Sequence, residues 1–250
     1  RQQEAHKHLG GGLDLLHNWQ ASFGSLDLMS SVVGHGRSLA TIGIQLAIAD
    51  GSPELVFEWS ERARALTTRV VPVRPPQDAQ LAADLVEIRK LTSPEPVAGT
   101  SAAKRLAELR DRVRQRSWLG VGSGEVNQIA SVDELVQALG PDTALVSYLW
   151  DGKSRLTAIV LTDQAHQVIE LGESEPVRRL IAGLAADLDM SATELPGPMA
   201  QVVREGLDLR LRQISSALVT PILSQVGERR VVITQAGILA GISWSMLPGF

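Results

Sequence analysis

A short run of β-branched residues near the end of the chain constrains the fold more than any other stretch. Val231, Val232 and Ile233 directly follow the charged residue Arg230, and the run is too short for a helix. The sequence therefore predicts a buried strand of an α/β sheet, followed by a turn at Gln235–Gly237.

The residues after this strand predict a hairpin, and the strand itself predicts a larger sheet than the chain supplies. Apolar and small residues alternate loosely from Ile238 to Met246, and Pro248-Gly249 ends the pattern. A central strand of an α/β sheet has neighbours on both sides and helices on both faces. We therefore expect residues 229–250 to hold the first core strand of a domain that continues beyond Phe250.

The composition predicts a folded protein and disfavours two classes of partner. Of the 250 residues, 44% are hydrophobic, which is enough for a sizeable core, and the formal net charge is -4. An acidic balance does not favour a nucleic-acid backbone, and no apolar run approaches the roughly 20 residues of a membrane span. We expect a cytoplasmic protein without nucleic-acid or membrane partners.

The first half of the sequence has the apolar spacing of helices. Residues from Leu28 to Leu46 follow helical steps of three and four, and Ser52-Pro53 provides an N-cap and a first helical residue for the next helix. The two helices are predicted to form an antiparallel pair. The second is expected to bury Leu55, Trp59, Ala63, Leu66 and Val70.

Two further helices are predicted, one after a stiff connector at 71–78 that contains three prolines, and one from about Ala102 to Trp118, after a segment at 92–101 rich in proline, glycine, serine and threonine. Their apolar residues are Leu81, Leu85 and Ile88 in one and Leu106, Leu109 and Val113 in the other. Helix pairs of this kind are similar to tetratricopeptide repeats, and VFEWSERARAL at 56–66 resembles the second helix of such a repeat. The resemblance implies either a surface that binds a protein partner or a plain scaffold.

The middle of the chain contains a glycine-rich segment and a helix start. LGVGSGE at 119–125 superficially offers a phosphate loop, but it follows a helix rather than a strand and matches no phosphate-binding motif. We interpret residues 119–130 as a linker. Ser131 and Glu134 then form a capping box that begins a short helix ending at Gly140.

Three strands are predicted after this helix, at 144–150, 155–162 and 167–171, with hairpin turns at 151–153 and 162–164. Together they form a meander. Two amphipathic helices follow, lined by Val177, Leu180, Ile181, Leu184 and Leu188 and by Val203, Leu207, Leu211, Ile214 and Leu218.

This order of elements resembles the opening half of a CHAT domain. The segments that carry the resemblance are SVDELVQALGPDTALVSYLW, LTAIVLTD, HQVIEL and VVITQAGILAGISWSMLPG. The family is caspase-like and often follows tetratricopeptide repeats, and this sequence is similar to its actinobacterial members. The resemblance implies an α/β protein in which an all-α, tetratricopeptide-like region precedes the N-terminal part of a caspase-like three-layer α/β domain.

The resemblance also implies a chemistry that this chain does not carry. Active CHAT domains resemble other caspase-like cysteine peptidases, in which a histidine positions a proton and a cysteine thiolate attacks the scissile carbonyl. In the family both residues follow the segment that matches 241–249, and this chain has no cysteine. We therefore expect no peptidase activity from this chain alone, and we assign no catalytic, cofactor-binding or metal-binding residue.

The five histidines have plain interpretations. His6 and His8 form an HxH pair, which we interpret as a solvated terminus rather than a metal site. His17 and His166 are expected to meet solvent or a backbone group. His35 is expected to be a hydrogen-bonded core histidine.

Two other groups of residues, a pair of aspartates and the tryptophans, have both a functional and a structural interpretation. Asp187 and Asp189 could begin a carboxylate pair for acid–base chemistry, but we interpret them as a solvated face. The tryptophans are too widely spaced for a base-stacking platform and are predicted to be packing anchors. They are Trp19, Trp59, Trp118, Trp150 and Trp244.

Two functional hypotheses remain open. In the first, residues 1–118 form the helical region, 119–130 the linker and 131–250 an incomplete CHAT domain, so the chain is the non-catalytic front portion of a cysteine peptidase. Its partners would be a protein substrate or regulatory protein, bound by the helical region, and the missing half of the domain. In the second, the chain is a protein-interaction scaffold whose parent has no active peptidase site.

Overall fold

The computed structural model describes residues 2–21, 26–68, 78–92, 100–119 and 129–249. The chain is a mixed α/β protein, as the sequence predicts. Most of the connectors predicted at 71–78 and 92–101, and of the linker at 119–130, lies outside these residues. The helices are α1 (Gln2–Ala21), α2 (Leu26–Asp50), α3 (Pro53–Thr68), α4 (Ala79–Leu91), α5 (Thr100–Leu119), α6 (Val132–Leu139), α7 (Ser174–Ser191), α8 (Gly197–Leu218) and α9 (Leu223–Val226), and the strands are β1 (Thr143–Trp150), β2 (Arg155–Leu161), β3 (His166–Glu173) and β4 (Arg230–Thr234).

The chain divides into two compact units whose boundaries pass through α2 and α3. The first unit comprises Arg1–Ala40 and Arg62–Gln128, and the second comprises Thr41–Glu61 and Ile129–Phe250. The end of α2 and the start of α3 therefore belong to the same unit as the sheet. We call residues 41–61 the helical hairpin.

In the first unit, α1 packs against the parts of α2 and α3 that belong to that unit. Arg62 donates a hydrogen bond from Nη1 to Oδ1 of Asp14 at 2.7 Å. Gly12 lies against Leu39, where a Cβ would be 3.4 Å from the leucine Cδ1. The sequence analysis described helical spacing only from Leu28 onward, although α1 spans Gln2–Ala21 and includes three consecutive glycines.

Helices α4 and α5 of the first unit are joined by ion pairs. The predicted apolar residues of these helices are only partly buried except Leu109, which is fully buried. Charged side chains therefore contribute much of the contact between them. The pairs are Asp78 with Arg116 at 2.7 Å, Asp84 with Arg112 at 2.9 Å and Glu87 with Arg105 at 2.8 Å.

The second unit contains a four-stranded sheet in the order β3-β2-β1-β4. Strands β1, β2 and β3 form the predicted antiparallel meander, and β4 pairs with β1 in parallel. The predicted turn after β1 is confirmed: Asp151 accepts hydrogen bonds through Oδ1 from the N–H groups of Lys153 and Arg155. Gly152 adopts φ +80°, a conformation that favours glycine.

One face of the sheet packs on α7 and α8. Val146 and Tyr148 of β1 and Ala158 of β2 lie in one buried cluster with Leu184 of α7 and Ile214 of α8. The predicted apolar faces of both helices are confirmed, with Val177, Leu184, Leu207, Leu211, Ile214 and Leu218 buried.

The opposite face of the sheet is also buried, and the helical hairpin is attached to it. Gln45 donates from Nε2 to the carbonyl of Asp151 at 2.6 Å. At the other end of the hairpin, Glu54 pairs with His166 at the start of β3. Helices thus lie on both faces of the sheet. The buried residues of this second sheet face are Leu145, Ser147, Leu149, Thr157, Ile159 and Leu161.

The hairpin predicted after β4 is wrong. Residues 237–239 and 244–246 form short 3₁₀ turns instead of strands. The physical reason is the position of three buried apolar side chains, Leu239, Ile242 and Leu247, which all join the helix-side core. Alternation along a strand would have placed some of these side chains on the other face.

Strand β4 exists where it was predicted, but it is not the buried central strand that was expected. Within the described residues β4 is an edge strand, because β1 alone pairs with it. Its Val232 side chain is 39% exposed. Strand order, which the local sequence does not encode, decides this exposure.

Candidate functional site

The open edge of β4 is the most distinctive surface of the second unit. The N–H of Arg230 donates to the carbonyl of Asp142 at 2.9 Å, so the backbone groups of Arg230 point toward β1. Because peptide groups alternate along a strand, the N–H and C=O groups of Val231 and Ile233 point away from β1. Such groups are available for pairing with another strand.

A cavity of about 590 Å³ lies beside this edge. Its apolar wall includes the side chains of Val231 and Ile233, which lie on the α7–α8 side of the sheet. Charged residues also line the cavity. The lining residues are Leu223, Val226, Gly227, Glu228, Arg229, Arg230, Val231, Ile233, Trp244, Ser245 and Gly249.

Trp244 is held in the wall of this cavity by two contacts. Its ring stacks on Tyr148 with a centroid distance of 4.8 Å and an interplanar angle of 21°. Its Nε1–H donates to Oε1 of Gln235 at 2.7 Å. The Tyr148 hydroxyl in turn donates to the carbonyl of Leu218 at 2.9 Å, which ties the tryptophan to α8. An aromatic wall fixed in this way presents a rigid apolar surface.

Arg229 serves the fold rather than a ligand. Its Nε donates to the carbonyl of Pro141 at 3.0 Å, and Nη2 donates to Oδ1 of Asp163 at 3.0 Å. Nη1 lies 3.5 Å from the carbonyl of Val226. These bonds attach the approach to β4 to the loops at the start of β1 and after β2. The neighbouring Arg230 is exposed.

The cavity lining offers binding groups rather than catalytic ones. Ser245 supplies the only side-chain hydroxyl among the lining residues, and no histidine lies with it. Within the described parts of the chain, no three His, Cys, Asp or Glu side chains come together as metal ligands do. An apolar wall beside free backbone groups suits an extended polypeptide strand.

Two of the histidines, His166 and His35, differ from their predicted environments. His166 does not bind a backbone group; its Nδ1 lies 2.9 Å from Oε1 of Glu54. His17 is buried, which excludes the solvent alternative and leaves the backbone partner as a prediction, and His35 is exposed rather than in the core. The helix period alone placed His35 near the apolar side, but the packing of α2 leaves this position outside. His8 is exposed, as expected for a solvated residue, whereas the neighbouring His6 is half-buried.

The two aspartates near the end of α7 do not form a carboxylate pair. Asp187 is half-buried and binds the guanidinium of Arg210 on α8, so the solvated interpretation is wrong for this residue. Asp189 is exposed, as interpreted. An ion pair between α7 and α8 therefore replaces the acid–base alternative.

The tryptophans are packing anchors only in part. Trp59 is fully buried and confirms the prediction, whereas Trp19 is exposed and contradicts it. Trp150 and Trp244 are half-buried against the helix-side core. The side chain of Trp118 lies outside the described residues.

Several interactions that define the second unit were missed by the sequence analysis. Gln45 and Asp151 are 106 residues apart, and Glu54 and His166 are 112 apart. No short-range sequence pattern predicts a contact between residues so far apart in the chain. In the first unit, Asp84 was missed as a buried charge because a lone acidic residue on a helix usually faces solvent.

In the second unit, the pKa values of Glu54 and Tyr148 are both shifted. The hydrogen bond from His166 lowers the pKa of Glu54, with smaller contributions from its own backbone N–H and from Ser52. Burial raises the pKa of Tyr148 well above its usual value. We interpret both shifts as consequences of contacts that stabilise the fold.

None of the described helices combines the length and the apolar character that a membrane span requires. Comparisons of the chain with protein-family models, with curated proteins and with solved structures give no match.

Proposed function

We propose that this chain is the non-catalytic front portion of a caspase-like CHAT cysteine peptidase of the kind that follows tetratricopeptide-like helices. The order of elements from Ser131 to Gly249 supports the proposal, together with a sheet that carries helices on both faces. The sequence resemblance supplies the family, and the fold is compatible with it. A cytoplasmic location is part of the proposal.

The observation that carries the proposal is the parallel edge strand β4. Its Val231 and Ile233 backbone groups point away from β1, and a cavity with an apolar wall lies beside them. A further strand at this edge would satisfy those groups and cover the exposed Val232. In the proposal that strand comes from the remaining half of the domain, which also supplies the His and Cys of the active site.

The helices before the linker have a different role in this proposal. Helices α4 and α5 present many charged side chains and the exposed apolar residue Val86. Such a surface suits recognition of a protein substrate or a regulatory protein. Recognition and chemistry would then lie in different parts of one protein.

The proposal is tested on the complete protein that carries this chain. We expect it to cleave a protein substrate and to lose this activity when the cysteine expected beyond Phe250 is replaced by alanine. Cleavage that persists after this replacement would rule out the cysteine mechanism.

A paired substitution in β4 tests whether the open edge is used. Ile233→Pro removes a backbone donor that points away from β1, whereas Ile233→Ala removes more of the side chain than proline does but keeps the donor. We expect the complete protein to lose cleavage with the proline and to retain most of it with the alanine. Equal effects of both variants would contradict strand pairing at this edge.

The second candidate function is a protein-interaction scaffold without peptidase chemistry. The absence of a nucleophile–base pair among the residues lining the cavity favours this alternative as much as the first proposal. The two differ in the residues beyond Phe250: a histidine and then a cysteine, each ending an apolar strand, would favour the peptidase, and their absence the scaffold.

A further inference from the structure

Helix α8 carries a second apolar stripe that the fold does not bury. Three large apolar side chains project from this stripe: Met199 is 55% exposed, Val202 68% and Leu209 52%. With Gly206 and Gln213 they follow alternating steps of three and four, which place them on one face of the helix. We call residues 199, 202, 206, 209 and 213 the outer stripe.

The outer stripe is distinct from the face of α8 that packs on the sheet. The sheet-facing residues include Leu207, Leu211 and Ile214, all of which are buried. At about 100° per residue, the centre of the outer stripe lies about a third of a turn away from the centre of this buried face. Exposed apolar side chains that line up along two turns or more of a helix commonly mark a contact surface.

Gly206 gives the outer stripe a place for close approach. A Cβ at this position would meet no heavy atom within 4 Å, so the fold itself does not require glycine here. Glycine in the middle of a helix costs about 1 kcal/mol relative to alanine. A second helix that packs across this position would explain the glycine, because the missing side chain lets a large residue fit against the backbone.

The seven-residue spacing of the outer stripe specifies what kind of element fits it. A stripe of this spacing matches another helix with the same spacing, as in a coiled coil. When two copies of α8 lie antiparallel with Val202 opposite the second copy's Gln213, Leu209 comes opposite the second copy's Gly206. Leu209 of each copy then packs on Gly206 of the other copy, so the two-fold symmetry produces this contact twice.

Charge complementarity favours the same arrangement. Glu205 and Arg212 are exposed, lie seven residues apart and flank the outer stripe on the same side. In the antiparallel pair, Glu205 of each copy lies beside the second copy's Arg212, so two ion pairs form. Glu205 also accepts a hydrogen bond from Gln201 at 2.9 Å, which leaves its other carboxylate oxygen for the arginine.

A parallel pair of the same helices is less favourable. In that orientation Arg212 would lie beside the second copy's Ala217, and Glu205 beside the second copy's Arg210. Arg210 already binds Asp187 of α7 in its own chain. Only the antiparallel orientation uses both exposed charges.

We propose that the outer stripe is a homodimerisation surface on which α8 of a second copy of this chain packs in an antiparallel orientation, with Leu209 over Gly206 and Glu205 beside Arg212. The proposal is independent of peptidase activity. It assigns a partner to a surface that lies on a different side of α8 from the sheet.

Sedimentation velocity over a range of concentrations tests the proposal. We expect a reversible monomer–dimer equilibrium, and Leu209→Asp should raise the dissociation constant at least about tenfold, since it places a charge over an apolar contact. Leu15→Asp, at an exposed leucine of α1, is the matched control and should leave the constant unchanged. A chain that stays monomeric up to about 1 mM, or a dimer indifferent to Leu209→Asp, would overturn the proposal.

A charge exchange tests the orientation without removing apolar contact. Glu205→Arg alone places two arginines side by side twice and should weaken the dimer about tenfold or more. Adding Arg212→Glu in the same chain restores opposite charges and should restore the dissociation constant. If the double variant is no tighter than Glu205→Arg, the two residues do not meet and the proposed register is wrong.

Cysteine crosslinking distinguishes the two orientations, since the chain has no cysteine of its own. Val202→Cys and Gln213→Cys are made in separate chains at exposed positions, and circular dichroism checks that each folds. Mild oxidation of the mixture should give mainly the heterodimer between the two variants. Crosslinking of Val202→Cys chains with one another in preference to the heterodimer would indicate a parallel pair and refute the proposal.

Discussion

The contact between Gly43 of α2 and Trp59 of α3 leads to a sharp prediction about the packing of the helical hairpin. A Cβ at position 43 would lie 2.0 Å from Cε3 and 2.2 Å from Cζ3 of the indole ring. Real Cβ atoms essentially never approach another heavy atom within 3.0 Å. Because the Trp59 ring is fully buried, it can move away only by displacing its neighbours. We therefore expect Gly43→Ala to destabilise the protein.

Two effects of opposite sign set the size of this change. Alanine is favoured over glycine within a helix by about 1 kcal/mol. Overpacking a core costs about 1–3 kcal/mol, and the upper end applies here because the obstacle is a rigid ring rather than a flexible side chain. The net loss is about 2 kcal/mol in the free energy of unfolding, which corresponds to a melting temperature lower by roughly 4–8 °C for a chain of this size.

The control is the same substitution elsewhere in α2. A Cβ at Gly34 meets no heavy atom within 4 Å, so Gly34→Ala gains helix propensity without a clash and should stabilise its region by up to about 1 kcal/mol. Thermal melting by circular dichroism and urea unfolding by tryptophan fluorescence measure both variants. If Gly43→Ala proves as stable as the wild type or more so, the hairpin is not packed as described.

Three further predictions concern charged and ionisable groups. Arg112→Ala leaves the carboxylate of Asp84, which is 2% exposed, without its guanidinium partner. Urea unfolding should show that the free energy of unfolding falls by about 2 kcal/mol. An unchanged free energy of unfolding would mean that the ion pair is dispensable. The hydrogen bond from His166 lowers the pKa of Glu54, so this carboxylate stabilises the fold above the unfolded pKa of about 4.5 and ceases to do so as pH falls through the lower folded value. The stability difference between the wild type and Glu54→Gln should therefore shrink between about pH 5 and pH 3, and a constant difference would contradict this linkage. Burial raises the pKa of Tyr148, the sole tyrosine, so its stabilising contribution is complete below the unfolded pKa of about 10 and is lost at higher pH. The absorbance of the phenolate should therefore appear only when the protein unfolds. Phenolate absorbance near about pH 10 in the folded protein would refute the burial argument.

The sequence predicted elements well wherever a single local pattern decides them. The capping box at Ser131 and Glu134 forms with both of its hydrogen bonds, and Gly140 ends the helix with φ +70°. The turn at Asp151 forms as predicted because an aspartate followed by glycine favours it. The α7 and α8 faces follow the helical period. Each of these features depends on residues within a few positions of one another.

The candidate site at β4 was only half predictable. The strand at Val231 could be recognised from its β-branched residues, but its place at the edge of the sheet could not, since that depends on pairing with Thr143–Trp150 nearly 90 residues earlier in the chain. The turns after β4 were missed because Leu239, Ile242 and Leu247 are directed by the core they fill and not by an alternating pattern. The outer stripe of α8 has a visible spacing, but only the structure distinguishes it from the buried face.

By itself, the sequence determined the mixed α/β class, the antiparallel meander, the capped helix starts and the absence of any thiol chemistry in this chain. Tertiary structure alone decided that residues 41–61 lie on the sheet, that β4 is an edge strand, and that His166 meets a carboxylate of α3. The physical reason is range: propensity, capping and periodicity act over one or two turns of chain, whereas burial and ion pairing depend on which distant segments meet.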